Sequence, residues 1–300
     1  MDALTLPSPE GRGFSEENMK RQKRRNDLLI HAALILILLL TLVPFVFVIN
    51  NSLRTNYELD HAFFGVPQAL LQHQWKELFQ SYRDAWQVLR PYTLNTLLVA
   101  TATAFGVTAL GSVTAYVFSR YRFPGHRVLF LFVLSFMMIP GILTLVPSFL
   151  LVKKLGLLNS YWVLILPYIA GGQVFAIFLF KSFFDGLPGE LFESARMDGA
   201  GHFRQYASIV LPLSKQVLSV VLVTNILGTW NNFLWPLVTN SDAKYQTVAA
   251  GLFGMGSSTL AVNYANLFAA YTLSAIPMLI LFLYATKPFM AGLTSGAFKA

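Results

Sequence analysis

Six runs of the chain hold no Asp, Glu, Lys or Arg over the length a helix needs to cross a bilayer: residues 28–53, 91–119, 128–152, 155–180, 216–241 and 245–286. A hydrocarbon core of about 30 Å takes roughly 20 apolar residues at about 1.5 Å each, so each run accommodates one crossing. In the last run the stretch from Thr247 to Asn263 is rich in Gly, Ser and Thr and reads as a loop or re-entrant segment. The expected fold class is therefore all-α, a polytopic membrane protein with crossings at about 28–50, 93–118, 128–150, 160–182, 210–233 and 267–286. Hydrophobic residues make up 55% of the chain and charged residues 12%, against roughly 45–50% and about 25% in soluble domains. So few charges cannot cover a folded sphere, and the apolar excess must face lipid. With no cysteine, disulfide frameworks and thiolate metal sites are excluded.

Placing both termini in the cytoplasm puts 15 of the 22 Lys and Arg residues on that side, the bias that sets membrane orientation. Residues 1–27 are then a basic cytoplasmic tail, with Lys20, Arg21, Lys23, Arg24 and Arg25 directly before a retained anchor. Residues 28–300 form one six-span domain with an extracytoplasmic segment at 51–92 and a cytoplasmic loop at 184–208. Trp75, Leu78, Phe79, Tyr82 and Trp86 follow helical spacing, which predicts a short amphipathic helix near Gln74–Leu89. Lys153 and Lys154 fall on the outer face, at the foot of a short interfacial helix. Pro140, Pro147, Pro167 and Pro277 mark expected kinks.

The loop is more ordered than a connector requires. Pro188 suits a first helical turn, Glu190 and Glu193 favour its positive end, and Gly199 can end it in the left-handed conformation. A second short helix is expected to present Phe203, Tyr206 and Val210 on one face. Together they make a rigid knob suited to docking a cytosolic partner.

Glu193-Ser194-Ala195, Asp198-Gly199-Ala200 and Ile209-Val210-Leu211-Pro212-Leu213 resemble the EAA loop of bacterial ABC importer permeases, with Glu193, Gly199, Ile209 and Pro212 at its spacing. Ser194 replaces the first Ala, and Gln216 stands where a Pro often follows, which predicts a less kinked start to the fifth helix. Further stretches, among them Ser119–Gly125, Met138-Ile139-Pro140, Leu155–Trp162, Gly228–Leu237 and Gly292–Lys299, resemble the carbohydrate branch and its six-span maltose-permease-type subunit. The resemblance implies a translocating subunit of the bacterial cytoplasmic (inner) membrane that itself catalyses nothing. It implies a second homologous permease, two copies of an ABC ATPase that bind ATP and Mg, an extracytoplasmic solute-binding protein, and a sugar or oligosaccharide as substrate. It gives the coupling role to Glu193, Ser194, Ala195, Asp198, Gly199, Ala200, Ile209, Leu211 and Pro212, with Glu193 pairing with a basic residue of the ATPase. The loop near Asn240–Thr259 would reach towards the binding protein, and Phe298-Lys299-Ala300 towards the ATPase.

A solute path needs polar groups, and Ser135, Thr144, Gln173, Asn225, Asn231 and Asn232 lie in or beside the spans. Their hydroxyls and amides match a sugar's hydroxyls, and Trp230 or Tyr168 offers a stacking face. Hydrogen bonding between membrane helices would explain the same residues. A non-sugar solute and an ion-coupled carrier stay open as alternatives, although the six runs lack the intramembrane acid that such carriers commonly use. The histidines His31, His61, His73, His126 and His202 are scattered without metal-ligand spacing, and there is no H-E-x-x-H, G-x-S-x-G or P-loop pattern. No metal site, catalytic residue or bound cofactor is expected, so ATP must be handled by another chain. The basic tail is too short and too close to the bilayer for nucleic-acid binding.

Overall fold

The computed structural model describes residues 9–62, 64–257 and 262–297, with 9–17 and 287–297 described as helical backbone. Helix α1 (Pro9–Ser52) leads into the short turns Asn56–His61, Gln68–Leu71 and Trp75–Leu78 on the outer side, then α2 (Gln80–Arg120). Next come α3 (His126–Ser135), two 3₁₀ turns, α4 (Leu145–Lys154) and α5 (Trp162–Asp185). The cytoplasmic loop contributes α6 (Gly189–Met197) and α7 (His202–Gln205). Beyond it lie α8 (Lys215–Asn231), the turn Leu234–Thr239, α9 (Val248–Gly256) and α10 (Tyr264–Ala297).

Among the described residues, four helices are long and apolar enough to cross a bilayer alone, within α1, α2, α5 and α10. Two bent pairs pass the same test together, α3 with α4 at 92° and the α7 segment with α8 at 76°. Counting each pair as one crossing gives six, in the order expected.

The differences from expectation have local causes. The tail drawn as separate at 1–27 is helical from Pro9 onward and continuous with the first crossing, because its Glu, Lys, Arg, Gln and Met residues are good helix formers. Residues 1–8 lie outside the described residues. The amphipathic segment and the second crossing are likewise one 41-residue element that tolerates Pro91. Span 128–150 is not a straight helix. It breaks at Pro140, which lacks an N–H and pushes Ile139 into extended backbone at φ −84° and ψ 114°. Pro147 sits in the first turn of α4, where a missing N–H costs nothing, so the expected kink there does not form. Lys153 and Lys154 end α4, favourably placed against its negative pole. Most of the stretch read as a loop from Thr247 is helix α9, and residues 258–261 lie outside the described residues.

Helices α2 and α5 make the most extensive interface. It is built on small residues. A methyl added to Gly111 would lie 2.8 Å from Ala176 Cβ, and one added to Gly172 would lie 2.7 Å from Val107 Cγ2. Without a hydrophobic drive between helices in lipid, such close backbone approach is what holds them together. On the outer side Asn95 Nδ2 donates to the carbonyls of Lys244 (2.8 Å) and Gln246 (2.9 Å), while Tyr161 donates to Asn95 Oδ1 at 2.7 Å. The Val248 N–H donates to Thr96 Oγ1 at 2.9 Å, so the segment entering α9 is fastened to α2. By contrast, the apolar stretch of α1 is exposed almost throughout, and no residue of α3 is buried.

Candidate functional site: the cytoplasmic loop and a polar hollow

The loop leaves α5 at Asp185, where Lys181 closes an ion pair of 2.6 Å. Pro188, extended at ψ 132°, caps α6, and Glu190 lies in the first turn. At the other end the Ala200 N–H donates to the Ala195 carbonyl (2.8 Å) and the Gly199 N–H to the Arg196 carbonyl (3.0 Å). This is a Schellman motif, and it requires a left-handed residue at Gly199, whose φ is +74°. A methyl added at Gly199 meets nothing within 4 Å, so the demand is conformational and not one of space.

Three side chains of α2 hold the loop. Arg120 donates to the carbonyls of Phe184 and Leu187 and places its guanidinium 3.8 Å from the ring centroid of Phe192. Phe192 is buried in the cluster of Phe180, Phe184 and Val210. Ser112 shares a 2.7 Å hydrogen bond with the Tyr206 hydroxyl, and the Tyr116 hydroxyl donates to the His202 carbonyl at 3.3 Å. The chain then widens into a π-helical turn at Tyr206–Val210. That turn removes the shared face expected for Phe203, Tyr206 and Val210: Phe203 is 82% exposed and Val210 fully buried. The fifth crossing is also kinked despite Gln216. The bend falls at Ser214, whose hydroxyl donates to the Val210 carbonyl, directly after Pro212.

Glu193, Ser194, Asp198 and Gly199 are exposed, while Ala195 and Ala200 are half-buried. Ile209 and Leu211 are half-buried and Pro212 is exposed. Glu193 has no hydrogen-bond or ion-pair partner among the described residues. Met197, one helical turn on, is 89% exposed, and Phe203 of the second short helix is 82% exposed. The loop thus offers an unpaired carboxylate and two bare apolar side chains on a rigid mount, which is the chemistry of a docking surface.

Two adjoining hollows of about 310 and 350 Å³ lie where α4, α5 and α8 meet, sharing Pro167, Tyr168 and Asn232 in their walls. The first also includes Thr144 and Ser148, the second Thr103, Thr224 and Asn225. Thr144 donates to the Gly141 carbonyl (2.8 Å) and Asn225 to the Val221 carbonyl (2.9 Å), leaving their oxygens available as acceptors. The Tyr168 hydroxyl and Thr103 Oγ1 are buried without a partner. The structure therefore brings together Thr144, Asn225, Asn232 and Tyr168. The other expected path residues lie elsewhere. Ser135 is exposed on α3 and bonded to the Phe132 carbonyl, and Gln173 faces Gly111 in the α2–α5 seam. Asn231 is exposed and donates to the Leu227 carbonyl, and Trp230 is enclosed by Leu89, Val248 and Leu252. Thr103, Ser148, Thr224 and Thr229 are not among the path residues expected from the sequence, which include only Ser135 and Thr144 among the Ser and Thr hydroxyls. Their signal is helical spacing, since Thr224, Asn225, Gly228, Thr229 and Asn232 recur at three and four residues along one side of α8.

Residues 107–290, which contain the loop and every residue of the hollow's walls except Thr103, match the family described as binding-protein-dependent transport system inner membrane component. The chain belongs to this family. Among curated relatives, the diacetylchitobiose uptake system permease protein NgcG of Streptomyces coelicolor is 32% identical over 279 residues, covering 92% of this chain and 90% of that protein. The sn-glycerol-3-phosphate transport system permease protein UgpE of Yersinia enterocolitica is 34% identical over 285 residues, covering 92% of this chain and 98% of that protein. Among solved structures, a bacterial ABC transporter involved in the import of the acidic polysaccharide alginate superposes with a TM-score of 0.72 at 19% identity, covering 95% of this chain and 99% of that one. The chain is thus a multi-pass, non-catalytic permease subunit of a binding-protein-dependent ABC importer in the bacterial inner membrane, where ATP hydrolysis is done by a partner.

Proposed function

We propose that this permease conducts a sugar or oligosaccharide, and that residues 184–208 couple its path to a separate ATPase. The observation that supports the substrate class is the chemistry of the hollow. Its walls carry hydroxyls, amides and the Tyr168 ring, with no Asp, Glu, Lys or Arg. A polyhydroxylated neutral solute finds donors and acceptors there, whereas a phosphate would find no cation on this half of the path. In this reading Thr144, Asn225 and Asn232 contact the solute. Ser135, Gln173, Trp230 and Asn231 stay in the proposed set as residues that shape the surrounding helices.

The coupling reading rests on the rigid mount of α6. Glu193 pairs with a basic residue of the ATPase, Met197 and Phe203 fill apolar recesses, and the Gly199 turn sets the angle between the two short helices. A charge pair partly withdrawn from water gives register as well as attraction. The bare faces of α1 and α3 suit a second, homologous permease, and two ATPase copies then engage the two loops. The fastened outer segment from Asn240 faces the solute-binding protein. Residues 28–300 act as one permease domain with 1–27 as its basic cytoplasmic lead.

The test is uptake in proteoliposomes containing this chain, its companion permease, the ATPase and the binding protein. A chito- or galacto-oligosaccharide should enter in an ATP-dependent way, and Glu193→Lys should reduce uptake by about tenfold or more with assembly otherwise intact. ATP-dependent uptake of glycerol 3-phosphate with no saccharide uptake would overturn the substrate class. Full activity of the Glu193→Lys complex would overturn the coupling role of that residue.

A further inference from the structure

A cavity of about 570 Å³ opens between the cytoplasmic ends of α2, α3 and α5, well away from the polar hollow. Its walls carry Arg120, Arg122, Arg127 and Lys181 against a single carboxylate, Asp185, which Lys181 already engages at 2.6 Å. Arg122 and Arg127 have no hydrogen-bond or ion-pair partner among the described residues. Arg120 spends one end on the carbonyls of Phe184 and Leu187, and its Nε is buried with no partner. Cytoplasmic loops of membrane proteins need basic residues for orientation, but orientation asks only that they lie in the loop. Here they converge around a void, where their mutual repulsion calls for an anion.

The shape of the void indicates which anion. One wall is α3, a helix with no buried residue, which contributes Phe130 and Leu131; Leu131 is 64% exposed, and Val128, one turn before it, is 72% exposed. A soluble phosphate would use only the basic end. A phospholipid uses both ends, with its phosphate among the guanidinium groups and its acyl chain against Val128 and Leu131 at the start of α3, which leaves the rest of that helix for a neighbouring subunit.

We propose that this cavity is a binding site for the headgroup of an anionic phospholipid of the cytoplasmic leaflet. Basic pockets between helices at that membrane face have the right charge for such headgroups. The site also bears on the loop. Arg120 both lines the cavity and stacks on Phe192 of α6, so a headgroup held beside its guanidinium steadies the mount of the coupling helix.

The experiment uses the full chain in nanodiscs of phosphatidylcholine with graded phosphatidylglycerol, read by native mass spectrometry of retained lipid and by thermal melting. Phosphatidylglycerol should be retained in preference to phosphatidylcholine and should raise the melting temperature. The Arg122→Gln/Arg127→Gln pair should weaken retention on the order of tenfold. The charge-preserving Arg122→Lys/Arg127→Lys pair should keep most of it, which separates lost charge from lost folding. Equal retention of the two lipids by the wild-type chain would overturn the site, whatever the variants do. Equal retention by the wild type and a folded Gln pair would overturn it too. Inorganic phosphate that displaces phosphatidylglycerol, or reproduces its thermal shift in pure phosphatidylcholine, would assign the cavity to a free anion and overturn the lipid.

Discussion

Gly199 and Glu58 each fix a turn, for opposite reasons. Gly199 contributes no contact, only a φ of +74° in open surroundings. Gly199→Val should therefore strain the turn by about 1–3 kcal/mol and abolish ATP-coupled uptake while membrane insertion persists. Gly199→Asn, which tolerates that conformation, should retain substantial uptake in the same assay. Glu58 works by contact. On the outer side its carboxylate accepts the N–H groups of Thr55 (2.7 Å) and Gln68 (2.6 Å). Burial alone would push its pKa up, yet those hydrogen bonds, the Thr55 hydroxyl and the nearby Arg54 charge hold it below the ordinary 4.5. A depressed folded-state value means that this stabilisation is present above about pH 4.5 and is lost as pH falls through the lower folded value. Glu58→Gln should flatten that acid limb of the thermal-stability profile and lower stability at neutral pH. The left-handed turn at Gly199 was legible because a Gly follows an amphipathic segment. The Glu58 cluster was not, since its partners come from ten residues away and from a turn with no periodic signal.

At the scale of elements, the α2–α5 seam carries the bundle. Gly111 allows one of its close approaches, with Ala176 Cβ 2.8 Å from where its own Cβ would stand. Gly111→Leu should overpack the seam by about 1–3 kcal/mol, seen as a lower melting temperature in detergent and lower yield. Gly141→Leu, whose added carbon meets nothing within 4 Å, should melt near the wild type. Element existence was readable from the charge-free runs, because a bilayer imposes length and composition together. Element shape was not. Pro140 breaks its helix and Pro147 does not, although both lie in the same apolar run, because Pro147 falls in a first turn. The bend at Ser214 depends on a π-helical turn and a buried hydroxyl, neither of which a hydropathy pattern records.

The whole molecule is asymmetric in its packing. One side is a tight core of α2, α5 and α8, and the other presents α1 and α3 almost bare. Some of that exposure suits lipid, but bends such as the 92° turn between α3 and α4 leave backbone groups that a neighbouring subunit would enclose. Coexpression with its companion permease should therefore raise the melting temperature of this chain by several degrees over the chain purified alone, measured by fluorescence size exclusion after heating. Equal melting would mean that α1 and α3 meet only lipid. Of the two candidate surfaces, the loop was visible in advance because its residues are consecutive. The hollow was visible only in part, because its walls come from four helices, α2, α4, α5 and α8, and only Thr144, Tyr168, Asn225 and Asn232 among them stood out.

Composition and charge placement alone decide that this chain crosses a membrane about six times with its basic loops inside, because lipid excludes unpaired charge wherever the helices end up. The spacing from Glu193 to Pro212 suffices to place the two short helices of the loop, since a helix, a left-handed Gly and a second helix are properties of neighbouring residues. Which polar side chains share a hollow, that Trp230 serves packing, and that Arg120 ties a basic cavity to the loop are decided only when α2, α5 and α8 come together. Those contacts join residues far apart in the chain, and they depend on bends and close approaches that local preferences do not encode.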